Sequence, residues 1–84
     1  MTKRKIIDVP MKYGDNGVNV EEAQELLQKA GSTIKVTGIF SIGMVSAVKS
    51  FQKKNGLEKT GIIDILTWEK LIEKASPKKT SKKR

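Results

Sequence analysis

Residues 35–45, KVTGIFSIGMV, and residues 59–68, KTGIIDILTW, are two writings of one pattern. Thr37-Gly38-Ile39-Phe40 aligns with Thr60-Gly61-Ile62-Ile63 at an offset of 23 residues, and Ser41 then falls on Asp64, Ile42 on Ile65 and Val48 on Leu71. In each copy glycine permits a tight turn and the following Ser or Asp is a helix N-cap. Ile39 and Ile62 are expected to point inward. The repeat therefore predicts two turn-helix units that pack on each other and on a helix before them.

Three stretches carry helical periodicity. Val20, Ala23, Leu27 and Ala30, with Leu26 beside them, predict a helix over 20–30. Asn19 followed by Glu22 fits a capping box, and Gly31 fits a left-handed stop. Met44, Ala47, Val48 and Phe51, flanked by Val45, predict a second helix over 42–55, capped by Ser41 and ended by the KKNG run. Gly43 in its first turn lowers helix propensity by up to about 1 kcal/mol. Trp68, Leu71, Ile72 and Ala75, extended by Ile65, predict a third over 65–75, capped by Asp64, and Pro77 prevents its continuation. The fold class is all-α, a compact three-helix domain over residues 10–75. Residues 1–9 read as a flexible basic segment and 76–84 as a disordered basic tail.

Eighty-four residues without cysteine leave one small core, with no disulfide or thiolate metal site to support it. Histidine is absent as well, which removes the usual general base and zinc ligand. None of the nine acids has a partner placed for the carboxylate pair of glycoside hydrolysis. The expectation is a chain without catalytic residues, metal or cofactor. The start of the chain has only Ile6 and Ile7 before Asp8, short of a secretory h-region, and no stretch approaches a membrane span. The net charge of +8 is carried by the ends: eight lysines balance eight acids over 9–73, whereas Lys74, Lys78, Lys79, Lys82, Lys83 and Arg84 face no acid.

The three blocks together resemble the peptidoglycan-binding domain family, a three-helix fold carried by bacterial and phage wall hydrolases. MKYGDNGVNVEEAQELL matches its first motif at Gly14, Gly17, Val20, Gln24 and Leu27. VTGIFSIGMVSAVKSFQ matches the second at Val36, Gly38, Ile39, Phe40, Ala47, Val48, Phe51 and Gln52. GLEKTGIIDILTWEKL matches the third at Gly56, Leu57, Gly61, Thr67, Trp68 and Leu71. The resemblance covers residues 11–74 and implies a non-catalytic module that binds peptidoglycan or muropeptide in a shallow groove near the repeated turns. In a chain without a signal it implies a phage or prophage product, made in the cytoplasm. Such a chain acts within a virion or reaches the wall on lysis, as companion of a lytic enzyme. Thr37 and Thr60 stand where the family usually has aspartate, Ser41 and Asp64 where it has glycine, and Met44 where it has threonine.

The candidate ligand residues each have a structural counterpart reading. Tyr13, in a polar loop, is the aromatic best placed for exposure and ligand contact. Gln24 and Gln52 are candidates for hydrogen bonds to a glycan or for ties between a helix and a neighbouring turn. Thr37, Ser41 and Thr60 are candidates for contact with a sugar or peptide stem, against turn and capping chemistry. Trp68, Phe40 and Phe51 read as core. The tail residues Lys78, Lys79, Lys82, Lys83 and Arg84 suit nucleic acid, teichoic acid or an acidic protein, or simply solvation. SPKK in particular resembles the basic repeats of linker-histone tails. An alternative reading keeps the fold as an intracellular or virion interaction scaffold whose tail holds the polyanion.

Overall fold

The computed structural model describes residues 9–75, which form three helices: α1 Val18–Lys29, α2 Ile42–Lys54 and α3 Ile65–Ala75. Among the described residues there is no strand, only two isolated antiparallel bridges, Met11 with Ile63 and Asn16 with Ile39. The all-α expectation holds. The expected flexible head and tail lie outside the described residues, except Val9, which is half-buried against the core and so belongs to the ordered body.

The apolar stripes meet as their spacing requires. Val20, Ala23 and Leu27 of α1, Met44, Val48 and Phe51 of α2, and Trp68 and Leu71 of α3 enclose Met11, Phe40 and Ile63 in one core. α1 is its centre, packing on both other helices and most extensively on α3. The two repeated units thus meet largely through α1 and less by direct contact.

Caps set the ends. Ser41 Oγ accepts from the Met44 amide at 3.4 Å and Asp64 Oδ1 from the Thr67 amide at 2.9 Å, as the sequence predicts. α1 and α2 stop in the same way: the Ser32 amide reaches Leu27 O and the Gly31 amide Gln28 O, and the Leu57 amide reaches Gln52 O and the Gly56 amide Lys53 O. This double bond pattern satisfies carbonyls that the last helical turn leaves open. Asn19, expected as the cap, lies inside α1. α1 begins earlier, with Gly17 at the cap position and no side-chain cap bond among the described residues. Gly17 is held there by its own amide, which donates to Gly38 O at 2.9 Å, so tertiary pairing fixes the helix start.

The two isoleucines after the turn glycines face outward, contrary to the sequence expectation. Ile39 is 56% exposed and Ile62 38%, while the next residues, Phe40 and Ile63, are buried. The cause is the segment 11–17, which runs past both turns. Ile63 exchanges two backbone hydrogen bonds with Met11, and Phe40 donates to Asp15 O and accepts from the Gly14 amide. That clamp aims Phe40 and Ile63 into the core, and extended backbone alternates its side chains, so the preceding isoleucines turn to solvent.

Candidate functional site

Each repeated turn is built around a buried glutamine. Gln24 is 2% exposed and Gln52 1%. Gln24 Oε1 accepts from the amides of Thr37 (2.8 Å) and Gly38 (2.9 Å), while Nε2 donates to Thr37 Oγ1 (3.3 Å) and Ile39 O (3.1 Å). Gln52 repeats the arrangement, with Oε1 accepting from the amides of Thr60 and Gly61, both at 3.0 Å. Its Nε2 donates to Thr60 Oγ1 (3.2 Å) and Ile62 O (2.9 Å), and to Thr67 Oγ1 at 3.0 Å. Both amides are saturated and sealed from solvent. The arrangement fits the reading of the glutamines as ties between a helix and a neighbouring turn, with their donors and acceptors engaged within the fold.

The threonines complete the same device. Thr37 Oγ1 accepts from the Ile39 amide at 3.1 Å, and Thr60 Oγ1 from the Ile62 amide at 3.1 Å. Each hydroxyl also donates to the carbonyl of that isoleucine, at 3.4 and 3.3 Å. A side-chain oxygen at this position closes a turn on the amide two residues on, as an aspartate carboxylate does. Threonine thus supplies the kind of acceptor that an aspartate would offer at this position. Gly38 and Gly61 complete the turns at φ 83° and 78°, a region that favours glycine. A Cβ on Gly61 would also lie 3.0 Å from Val45 Cγ1, and one on Gly38 3.2 Å from the Glu21 side chain.

The two turns differ in what surrounds them. Thirteen residues separate Gln24 from Thr37, but eight separate Gln52 from Thr60. Part of the excess lengthens α1 beyond its glutamine, and part lengthens the connection between helix end and turn. That connection, residues 31–36, is pinned by Gln28 Nε2 donating to Ile34 O at 2.8 Å. It stands off from α2 and walls two depressions. One, about 370 Å³, lies between Ser32, Thr33 and Ile34 on the connection and Ser46, Ser50 and Lys54 on α2. The other, about 280 Å³, lies beside the first turn and is lined by Gln24, Thr37, Ser41, Lys35 and Met44 among others. A third hollow, about 340 Å³, sits under the 9–20 segment against Asp15, Asn16 and Asn19.

Of the sequence candidates, the structure brings Gln24, Thr37 and Ser41 to the edge of one depression, Gln24 with its amide engaged in the first turn. Tyr13 is exposed as expected, at 60%, but lines none of these hollows, and neither do Gln52 and Thr60. Trp68 is buried, so its indole offers no stacking face. The tail cations Lys78, Lys79, Lys82, Lys83 and Arg84 lie outside the described residues. Sequence reasoning missed Thr33, Ser46 and Ser50, which read as ordinary solvent-facing polar residues. Among the described residues no cluster of His, Cys, Asp or Glu is arranged to hold a metal, and no helix is long and apolar enough to cross a membrane.

Known proteins give this geometry its context. The family model described as "Putative peptidoglycan binding domain" matches residues 16–71. The carboxy-terminal processing protease CtpA of Bacillus subtilis is 43% identical over 65 residues, which is 77% of this chain and 14% of the protease. Among solved structures, the SleB N-terminal domain superposes with a TM-score of 0.78 at 30% identity, covering 83% of this chain and 99% of that one. A Burkholderia AP3 phage endolysin superposes with a TM-score of 0.74 at 32% identity, over 75% of this chain and 24% of the endolysin. The same three helices thus occur inside much longer proteins. Matched over most of its described length in both sequence and shape, the chain belongs to the peptidoglycan-binding domain family.

Proposed function

We propose that this domain is a non-catalytic peptidoglycan-binding module that takes its ligand on the surface between the 31–36 connection and α2, beside the first turn. The observation that carries the reading is the family match over residues 16–71 together with the depressions that the longer first repeat creates. The surface there is rich in hydroxyls and small side chains, suited to hydrogen-bonding a polar polymer of the wall. Thr37 and Ser41 contribute at its rim. The phage endolysin and the processing protease carry the same fold as a minor part of a larger chain, which supports a targeting role beside a separate activity. Delivery by a virion or on lysis, alongside a lytic enzyme, is the corresponding setting.

Retention on purified sacculi tests the function. The full chain is expected to sediment with sacculi at low and moderate salt. A variant lacking residues 76–84 is expected to keep most of that retention. Loss of all retention with the tail would replace wall recognition by nonspecific polyanion binding, since its five cations carry strong salt dependence by themselves. That outcome would favour the scaffold reading, with nucleic acid, teichoic acid or an acidic protein as the tail's partner.

A further inference from the structure

The two depressions beside α2 share Thr33, Ile34 and Gly43, so they form one continuous groove. Gly43 lies where they join, and the fold does not explain it. Six of the seven glycines have φ between 74° and 122°, where glycine is favoured. Gly43 alone has ordinary helical geometry. A Cβ there would meet only Ser41 Oγ, at a comfortable 3.7 Å. Glycine at a helical site is less stable than alanine. What its bare backbone does provide is passage: a side chain at 43 would divide the groove.

Charge and length narrow the occupant. Lys35 stands at the turn end and Lys54 at the far end, and no carboxylate lines either part. The hollow under residues 9–20 is the opposite, with Asp15 and no cation. The one aromatic that lines the groove, Phe51, is packed in the core and 7% exposed, so it offers a sugar ring little face to stack on. From Gly43 to Lys54 the helix rises roughly 16 Å, the span of about five extended residues. Resting on the peptidoglycan-binding reading above, we propose that the groove holds a short, extended, carboxylate-bearing peptide, in the wall the stem peptide and not the glycan strand. It crosses Gly43 with its acidic groups toward Lys35 and Lys54.

The test uses the full chain and two ligands, a stem-bearing muropeptide and glycan strands stripped of peptide. Gly43→Leu is expected to unfold at no lower urea concentration than the parent while losing at least tenfold in muropeptide affinity. Gly43→Ala is expected to gain stability and lose less affinity. Lys54→Glu, on the exposed rim, is expected to weaken muropeptide binding several-fold and to flatten its salt dependence. Peptide-free glycan is expected to bind poorly to every form. Equal muropeptide affinity of Gly43→Leu and parent, or glycan binding as tight as muropeptide binding, overturns the proposal while sacculus retention leaves the function standing. Failure of the parent to bind sacculi at all removes both.

Discussion

The first and second turns share a sequence, a backbone and a hydrogen-bond scheme, yet they are surrounded differently. At the second turn Gln52 holds three side-chain or carbonyl acceptors, because Thr67 adds its buried hydroxyl. The equivalent position in the first repeat is Met44, and Gln24 holds two. The second turn is the tighter knot, close behind a helix that ends soon after its glutamine. The first is looser and has a longer connection in front of it, and the groove lies there. The repeat thus supplies fold twice and a candidate binding surface once. Short loops favour rigidity, and an added few residues cost little in loop entropy, so a repeated unit can gain a new surface by lengthening one copy.

The largest expected effect comes from removing the central amides. Gln52→Ala leaves the Thr60 and Gly61 amides without their acceptor and should cost about 3 kcal/mol or more, Gln24→Ala about 2 kcal/mol. Urea unfolding followed by circular dichroism measures both, and a reversed order would break the distinction between a tight and a loose turn. Next come the turn glycines. Gly61→Ala is expected to cost about 2 kcal/mol and Gly38→Ala about 1 kcal/mol, since left-handed backbone is unfavourable at both. The added methyl meets the packed Val45 at Gly61 but the Glu21 side chain at Gly38. Equal losses in thermal unfolding would show that crowding does not separate the sites.

Smaller effects sharpen the role of the threonines. Thr37→Val and Thr60→Val keep the shape and remove the oxygen that receives the isoleucine amide, an expected loss of about 1 kcal/mol each. Thr37→Asp and Thr60→Asp restore the family's usual residue and should stay within about 0.5 kcal/mol of the parent, because the carboxylate accepts the same amide. Chemical denaturation of the four variants checks this. A large gain in sacculus binding by the aspartate pair, without a change in stability, would mean that the position serves the ligand and not the turn.

Much of this was legible in the sequence. Ser41 and Asp64 cap as their position before an apolar stripe requires, and Trp68, Leu71 and Ala75 share a buried face because they share a helical period. Asn19 misleads because the start of α1 is decided by Gly17 pairing with Gly38, a contact between residues far apart in the chain. Ile39 and Ile62 mislead for the same reason: the passing segment 11–17 decides which of two adjacent apolar residues turns inward. The glutamines were legible as ties but not as sealed ones. The groove was least legible, since serines on a helix exterior carry no pattern. Its one signal was Gly43, an unfavourable residue in a helix whose geometry makes no demand for it.

The central claim is that the turns hold the fold and the groove before the first turn holds the ligand. Amide chemical shifts of the isotope-labelled full chain, followed through a titration with stem-bearing muropeptide, test it most directly. The expected perturbations fall on Thr33, Gly43, Ser46 and Ser50, with Thr60, Gly61 and Ile62 unmoved. Perturbations centred on the second turn or on Tyr13, with the groove residues silent, would contradict it.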